Sequence, residues 1–387
     1  MQDITTPLEA ITGAEHLRMS GGAIAVAPGN EEEVAAVLRF AQTNHCAIVG
    51  WGGGTKQDWG NVVEPALILE TRRLNALREH TWQDMTCVVE AGCSWAFMQS
   101  ALAQHGQFVA LDPLWPERST VGGIIATNDS GALRLRYGGL RDLVIGMTIV
   151  LADGTIAHTG GKVVKNVAGY DLHKLMIGAF GTLGIVTSVN FRLHSLPACT
   201  ETFSLSAPAA EPLGKLMLKL LQAQLSTVAI QLRGAGDGFA LDIQLACLPE
   251  VLATQIATLE PMVRNEEDGV WQARQALMTR DLVCKATMLP TEIARFAERV
   301  RGLGGDSVTQ ATGIMMAGLP AIAAAQIPQF RREVEEASGS LTVVKQPADA
   351  KLSAWGTPPD SLPLMREIKL SFDPERILNP GRFLGGI

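Results

Sequence analysis

Residues 119–131 read Ser-Thr-Val-Gly-Gly-Ile-Ile-Ala-Thr-Asn-Asp-Ser-Gly. Thr120 can cap a short helix, whose first N–H groups and dipole favour a phosphate or the polar edge of a flat ring. Gly122 and Gly123 have no Cβ, so that backbone can approach a ligand closely. The alternative is that the small residues serve only helix packing. We predict a ligand-binding helix here.

Two more glycine-rich stretches lie in the same half of the chain. Gly52-Gly53-Gly54-Thr55-Lys56 follows a predicted strand over 47–50. Consecutive glycines let backbone N–H groups converge on an anion, and Thr55 or Lys56 could add a side-chain donor. The alternative is a tight solvent-exposed turn. Residues 178–186 precede a predicted strand and do not match GxGxxG, which disfavours a Rossmann site.

Length and composition indicate a folded protein of two domains. The chain has 387 residues, of which 47% are hydrophobic and 18% charged, so intrinsic disorder is excluded. Lys and Arg number 32 and Asp and Glu 39, which gives a net charge of −7. Without a basic block, this balance argues against a nucleic-acid partner.

The cysteines and the apolar segments predict a cytoplasmic protein. None of the six cysteines forms a CxxC pair, so we expect neither an iron–sulfur cluster nor a zinc ribbon in this chain. The N-terminus shows no signal-peptide pattern, and the longest apolar stretch, 143–152, is too short to cross a bilayer. We expect no direct membrane insertion, and peripheral attachment at the inner membrane only through partners.

The hydrophobic pattern changes near Leu196–Pro197. Before it, short strands alternate with helices, as in strand 23–27 followed by a helix that Asn30 can cap, with Glu33 three residues later. Beyond it, longer helices alternate with strands of a mostly antiparallel sheet, which predicts an α+β fold. The predicted elements after the boundary are helices 212–224, 250–263, 291–301 and 321–336 and strands 228–232, 239–246, 282–288, 313–318 and 341–345.

Five motifs in this order resemble one family. They are WGGGTK at 51–56, STVGGIIATNDSG at 119–131, RYGGLRD at 136–142, KNVAGYDLHKLMIGAFGTLGIVT at 165–187 and FDPERILNPGRF at 372–383. The chain is similar to the vanillyl-alcohol-oxidase-type flavoproteins, which carry a p-cresol-methylhydroxylase (PCMH)-type FAD-binding domain. Within that family it looks most like the FAD-binding subunits of glycolate oxidases. The resemblance covers residues 23–193 and the C-terminal segment.

The resemblance implies an α+β fold with FAD as cofactor. A two-subdomain PCMH-type FAD-binding domain would span 1–196, a smaller α+β substrate or cap domain 197–370, and a tail, 371–387, would return to the FAD domain. The implied cofactor-binding residues are Gly52, Gly53, Gly54, Thr55 and Lys56 at the pyrophosphate, Thr120, Gly122, Gly123, Thr127 and Gly131 along the pyrophosphate and ribityl–flavin path, Gly184, Ile185 and Val186 near the adenine, and Asn379 near the isoalloxazine.

The sequence departs from the family in three places. Many relatives attach FAD through a His in the first glycine stretch, but Gly54-Thr55-Lys56 contains none, so we expect non-covalent FAD. The paired-His and GDGN signature, which holds a divalent metal and substrate in full-length 2-hydroxy-acid dehydrogenases, is missing too. No histidine follows His194, so we expect no His-based metal site there. Relatives also tend to have Glu at Phe180.

Few side chains remain as candidates for acting on a substrate, and no catalytic residue is assigned. Arg and Lys side chains could pair with a carboxylate, and the two tyrosines could act as acid or base, although surface and core roles are the alternatives. These candidates are Arg118, Arg134, Arg136, Lys285, Tyr137 and Tyr170.

The leading hypothesis is an FAD-binding oxidoreductase subunit of a complex that oxidises glycolate or a similar small 2-hydroxy acid. The resemblance implies a second flavin-type catalytic subunit and an iron–sulfur subunit as partners that receive the electrons. One alternative is a non-catalytic subunit that holds FAD as a structural or electron-relay group. The other is a stand-alone FAD-linked oxidase of another alcohol.

Overall fold

The structure is a computed structural model that describes residues 4–162, 170–236, 238–265 and 268–387. Residue contacts divide the chain into two compact units. The first unit comprises Met1–Asp129, Gly139–Ser195 and Thr357–Ile387; the second comprises Ser130–Gly138 and Leu196–Gly356. Relative to the predicted domains, residues 130–138 fall in the second unit and 357–370 in the first. The domain boundaries given above stay predictions.

Nineteen strands and thirteen α-helices lie in the described part of the chain. The strands are β1 Leu17–Ser20, β2 Ala23–Val26, β3 Ile48–Trp51, β4 Leu67–Glu70, β5 Leu77–Thr81, β6 Thr86–Glu90, β7 Gln107–Phe108, β8 Val144–Val150, β9 Ile156–Gly160, β10 Ile185–Arg192, β11 His194–Ser195, β12 Cys199–Ala207, β13 Thr227–Ala235, β14 Gly238–Cys247, β15 Val263–Asn265, β16 Leu282–Thr287, β17 Asp306–Gln310, β18 Ile314–Leu319 and β19 Ser340–Lys345. The helices are α1 Thr5–Thr12, α2 Glu31–Thr43, α3 Trp95–Ala103, α4 Val121–Thr127, α5 Arg134–Tyr137, α6 Leu140–Leu143, α7 His173–Met176, α8 Ala210–Gln222, α9 Pro249–Gln255, α10 Ala273–Ala276, α11 Ile293–Gly302, α12 Ile327–Glu336 and α13 Leu362–Phe372.

The first unit begins with a four-stranded sheet in the order β1-β2-β4-β3. Strands β2, β4 and β3 run parallel, and β1 is antiparallel to β2. Helix α2 starts as predicted, because the Asn30 Oδ1 accepts a hydrogen bond from the Glu33 N–H at 2.8 Å. Its apolar stripe, including Val34 and Leu38, is fully buried against this sheet's core. The sheet ends at β3, which leads directly into the first glycine stretch.

The first unit also contains a second, antiparallel sheet in the order β5-β6-β10-β8-β9 and a two-stranded sheet of β7 and β11. Its core includes Trp95 on α3 and Phe191 on β10, whose rings meet edge to face at 5.9 Å. Ser94 caps α3 by accepting from the Phe97 N–H at 3.5 Å. The third glycine stretch leads into β10, so it too is anchored to a buried strand. Residues 165–169 of the fourth motif lie outside the described residues.

The second unit is built on an eight-stranded antiparallel sheet in the order β15-β12-β14-β13-β17-β18-β16-β19. Helices α8, α11 and α12 bury apolar side chains in its core, among them Met217, Phe296 and Phe330. The five strands predicted here are confirmed to within about two residues, except that β13 continues three residues further, to Ala235. Strands β12 and β17 were not predicted, because Thr, Glu, Ser and Gln side chains weaken their apolar alternation.

Two predicted helices of the second unit are wrong in part. The helix predicted over 250–263 ends as α9 at Gln255, and Val263–Asn265 is the strand β15. Pro261 explains the difference, since proline lacks the N–H and clashes with the preceding turn of a helix. The helix predicted over 321–336 is a 3-10 segment, Ala321–Gln326, followed by α12. No helix in the described residues is long and apolar enough to cross a membrane.

Candidate functional site

The three glycine-rich stretches meet at one pocket of the first unit. Thirteen of the fourteen residues proposed from sequence line it: Gly52, Gly53, Gly54, Thr55, Lys56, Thr120, Gly122, Gly123, Thr127, Gly184, Ile185, Val186 and Asn379. Gly131 is the exception and falls in the second unit, after the chain has turned at Asn128 with a left-handed φ of 47°. The folded chain thus brings together stretches that are more than 45 residues apart in sequence.

The first stretch packs with its backbone against the second. A Cβ on Gly52 would lie 2.1 Å from the Thr120 Oγ1, and a Cβ on Gly53 would lie 1.9 Å from the Arg118 carbonyl oxygen. Gly54 adopts a φ of +69°, which favours glycine. Gly52 and Gly53 are therefore required by the contact between the two stretches, so a side chain at Gly53 would first meet protein.

Helix α4 forms the second wall of the pocket. Its start confirms the predicted cap, because the Thr120 Oγ1 accepts from the Gly123 N–H at 3.3 Å. Gly122, Gly123, Ala126 and Thr127 all line the pocket and form one face of the helix. A Cβ on Gly123 would meet only the Thr120 Oγ1, at 3.3 Å. This face carries only small side chains.

The third stretch closes onto the C-terminal end of α4. The N–H of Gly178 donates to the Ile125 carbonyl and that of Phe180 to the Ala126 carbonyl, both at 2.9 Å. Phe180 has a φ of 55°, which is uncommon for a residue with a bulky side chain. Its ring lies 5.9 Å from that of Phe383. The stretch thus places an aromatic side chain at the pocket wall.

Lys56 lines the pocket, but its amino group has a protein partner. The Nζ lies 3.2 Å from the Asp129 Oδ2 and donates to the Ser119 Oγ at 3.0 Å. Both charged side chains are at most 5% exposed. The Thr55 Oγ1 also lies 3.1 Å from the Ser119 Oγ. The two side-chain donors that the first stretch could offer to an anion therefore engage the second stretch.

Arg382 is a pocket residue that sequence reasoning missed. It is 6% exposed and donates to the carbonyl oxygens of Lys56, Gln57 and Trp59. Burial lowers the pKa of Arg382 to about 10, and the charge of Asp58 opposes that shift, so the guanidinium stays protonated at neutral pH. The residue belongs to the motif at 372–383, but its bonding partners lie more than 320 positions earlier.

None of the six other candidates is among the residues that line the pocket. Arg134, Arg136 and Tyr137 lie on α5 and Lys285 on β16, all in the second unit. Burial raises the pKa of the Tyr137 hydroxyl, and the nearby Arg136 acts in the opposite direction. Arg118 is exposed, and Tyr170 is 88% exposed.

Acid, base and metal-binding groups are scarce around this site. No His, Cys, Tyr, Asp or Glu is found among the pocket-lining residues that the structure describes. Across the described ranges, no group of three or more His, Cys, Asp or Glu side chains is arranged to hold a metal ion. The pocket wall therefore consists of main chain, small side chains, apolar side chains, the amides of Gln57 and Asn379, and two cations that already have partners.

Comparisons with known proteins match two segments of the chain to known domain families. Residues 22–160 match the model of the FAD binding domain, and residues 352–383 match that of the FAD linked oxidases, C-terminal domain. The chain is 27% identical to a D-lactate dehydrogenase of Archaeoglobus fulgidus, over 98% of this chain and 94% of that protein. It is 38% identical to the glycolate oxidase subunit GlcD of Bacillus subtilis, over 46% of this chain and 38% of that protein.

A solved structure shows the same fold. The structure of p-cresol methylhydroxylase with substrate bound superposes with a TM-score of 0.75, covering 98% of this chain and 95% of that one, at 16% identity. The resemblance inferred from the five motifs is confirmed, and so is FAD as the cofactor. The two matched domains and the relatives indicate an FAD-dependent oxidoreductase, and the chain has a PCMH-type FAD-binding fold of the α+β class.

Proposed function

We propose that the pocket of the first unit binds FAD non-covalently and that the protein oxidises a small 2-hydroxy acid, such as glycolate or D-lactate. The relatives support the substrate class, since their names include D-lactate dehydrogenase, glycolate oxidase subunit and D-2-hydroxyglutarate dehydrogenase. Bound FAD supplies the redox chemistry by accepting a hydride equivalent and passing electrons on.

The observation that carries the proposal is the state of the two cations at the pocket wall. Lys56 is neutralised by Asp129, and the N–H groups of Arg382 are directed at main-chain and side-chain oxygens. A dinucleotide's diphosphate would therefore be held by main-chain N–H groups of the first stretch. Gly52 and Gly53 fit that task, because a Cβ at either position would separate the two stretches.

The remaining lining residues suit a flat, partly apolar ring system. The small-residue face of α4 offers a surface on which such a ring can lie, and Met176, Leu183 and Ile185 add apolar contacts that exclude water. Non-covalent attachment is supported by the absence of His, Cys, Tyr and Asp from the described lining residues. The chain's own residues thus bind, orient and shield the cofactor.

Anaerobic reduction tests the proposal. Purified protein would be mixed in turn with glycolate, D-lactate and D-2-hydroxyglutarate, and the visible flavin band recorded. We expect one of the three acids to bleach the band, and acid denaturation followed by filtration to release the yellow colour into the filtrate. A flavin-loaded protein that none of the acids bleaches would contradict substrate oxidation by this chain alone.

The alternative is a subunit that holds FAD as a structural or electron-relay group. Two observations favour it: no His, Cys, Tyr, Asp or Glu lines the described pocket, and no histidine follows His194. A second flavin-type catalytic subunit and an iron–sulfur subunit would then be its partners. Under this alternative, the acids bleach the flavin only after co-purified partner subunits are present. Hydrogen peroxide production without any partner would instead indicate a stand-alone oxidase of another alcohol.

A further inference from the structure

We infer that Arg382 is a positioning residue for the cofactor: its guanidinium, from the C-terminal segment 369–382, holds the first glycine stretch in the shape that binds FAD. The inference rests on the proposed cofactor site and adds to it a residue that contacts the first glycine stretch directly. It differs from a direct phosphate contact, since the cation acts through the main chain of residues 56–59.

All the donors of this guanidinium are used. Arginine has five N–H groups, and Arg382 makes five hydrogen bonds. The Nε donates to the Trp59 carbonyl at 3.2 Å, and the Nη2 donates to the carbonyls of Lys56 at 3.2 Å and Gln57 at 2.8 Å. The Nη1 donates to the Gln57 Oε1 at 2.8 Å and the Asn379 Oδ1 at 3.2 Å. No donor is left over for a ligand.

These bonds fix the peptide planes at the C-terminal end of the stretch and immediately after it. Because a trans peptide group is planar, a carbonyl held on one side sets the direction of the next residue's N–H on the other. The carbonyls of Lys56 and Gln57 thus set the N–H directions of Gln57 and Asp58. The reverse contact exists too, since the Asn61 N–H donates to the Arg382 carbonyl at 2.9 Å.

Asn379 connects Arg382 to the third glycine stretch. Its Oδ1 accepts from Arg382, and its Nδ2 donates to the Gly181 carbonyl at 3.1 Å. Its main-chain N–H donates to the Ile48 carbonyl at 2.9 Å, which ties it to the strand that leads into the first stretch. The side chain is 1% exposed. Its amide therefore joins two walls of the pocket, and its oxygen and nitrogen both have protein partners.

A buried ion pair fixes the segment that carries these two residues. The Lys369 Nζ donates to the Asp373 Oδ2 at 2.6 Å, the Thr182 carbonyl at 2.7 Å and the Leu378 carbonyl at 3.0 Å. The Asp373 carboxylate also accepts from the N–H groups of Ile377 and Leu378. The turn before Asn379 is thus held rigidly, so Arg382 reaches the first stretch from a defined position.

Flavin-depleted protein tests the inference. The variants are Arg382→Ala, Arg382→Lys and, as matched control, Arg376→Ala, an exposed arginine of the same segment. FAD affinity would be measured by quenching of flavin fluorescence, and loop order by hydrogen exchange in peptides that cover residues 50–60. We expect Arg382→Ala to bind FAD about tenfold to 100-fold more weakly, since several hydrogen bonds to a charged group are lost.

Chemical rescue separates positioning from general destabilisation. Guanidinium ion at millimolar concentration should restore part of the FAD affinity of Arg382→Ala, and sodium chloride at equal ionic strength should not. Arg382→Lys keeps the charge with three donors and should fall between wild type and Arg382→Ala, with faster exchange at residues 50–60. Arg376→Ala should match wild type in both measurements.

Three results would overturn the inference. They are wild-type FAD affinity in both Arg382 variants, unchanged hydrogen exchange at residues 50–60 in Arg382→Lys, or equal losses in Arg382→Ala and Arg376→Ala. Failure of the proposed cofactor site would look different, since wild-type protein depleted of flavin would then not take up FAD in the pocket at all.

Discussion

The amino group of Lys56 lies 3.2 Å from a carboxylate oxygen of Asp129, and both side chains are almost fully buried. The pair joins the first glycine stretch to the end of the second. The rings of Trp59 and Trp115 lie 5.9 and 5.7 Å from the Lys56 Nζ and shield it from solvent. A lysine that the sequence suggests as a donor to a bound anion thus links two stretches of the folded protein instead.

The first prediction concerns this pair. Asp129→Asn leaves the Lys56 charge buried without a counter-charge, which should lower the free energy of unfolding by about 3 kcal/mol. The double variant Lys56→Met/Asp129→Asn removes both charges and should lose less than Asp129→Asn alone. Urea unfolding of the two single variants and the double variant measures the coupling. Strictly additive losses would show that the two side chains do not stabilise each other.

The second prediction tests the pocket as the cofactor site. Gly123 lies on the pocket face of α4, and its Cβ direction is open apart from the Thr120 Oγ1. Gly123→Leu should therefore fold and yet purify without flavin, because the new side chain occupies the space next to the helix. Gly302→Leu is the matched control, since a Cβ at this exposed helical glycine of α11 meets no atom within 4 Å. Equal flavin content in both variants would contradict the site assignment.

The third prediction concerns the contact between the first two stretches. Gly53→Ala places a Cβ 1.9 Å from the Arg118 carbonyl oxygen, a backbone atom that cannot rotate away. We expect a loss of about 3 kcal/mol in the free energy of unfolding, together with loss of flavin. Gly161→Ala is the comparison, because its Cβ meets nothing within 4 Å. Thermal unfolding and flavin absorbance of both proteins measure the effect.

Local features of the fold could be predicted from sequence, and long-range contacts could not. The caps at Asn30 and Thr120 depend on residues three positions apart, so their patterns are visible in the chain. Four of the five hydrogen bonds of Arg382 join positions more than 320 residues distant in sequence, and the fifth is to Asn379. No local pattern encodes the four long-range bonds. Most of the residues that line the pocket could be predicted from the family resemblance, because the glycine-rich stretches follow one another in the order typical of that family. The partners of the Lys56 amino group could be identified only from the folded structure.

The last prediction concerns the cysteines. Burial raises the pKa of Cys87 and of Cys284 to about 12 and that of Cys93 to about 11. Since only the thiolate reacts, these three should resist iodoacetamide at pH 8 in the native protein. Cys199 and Cys247 are half-buried and should react first, and Cys46 more slowly, because burial also raises its pKa. Mass spectrometry of peptides after native alkylation would identify the modified residues, with urea-denatured protein as the control in which all six react. Alkylation of Cys284 ahead of Cys199 in native protein would mean that the sheet of the second unit opens far more readily than its buried core indicates.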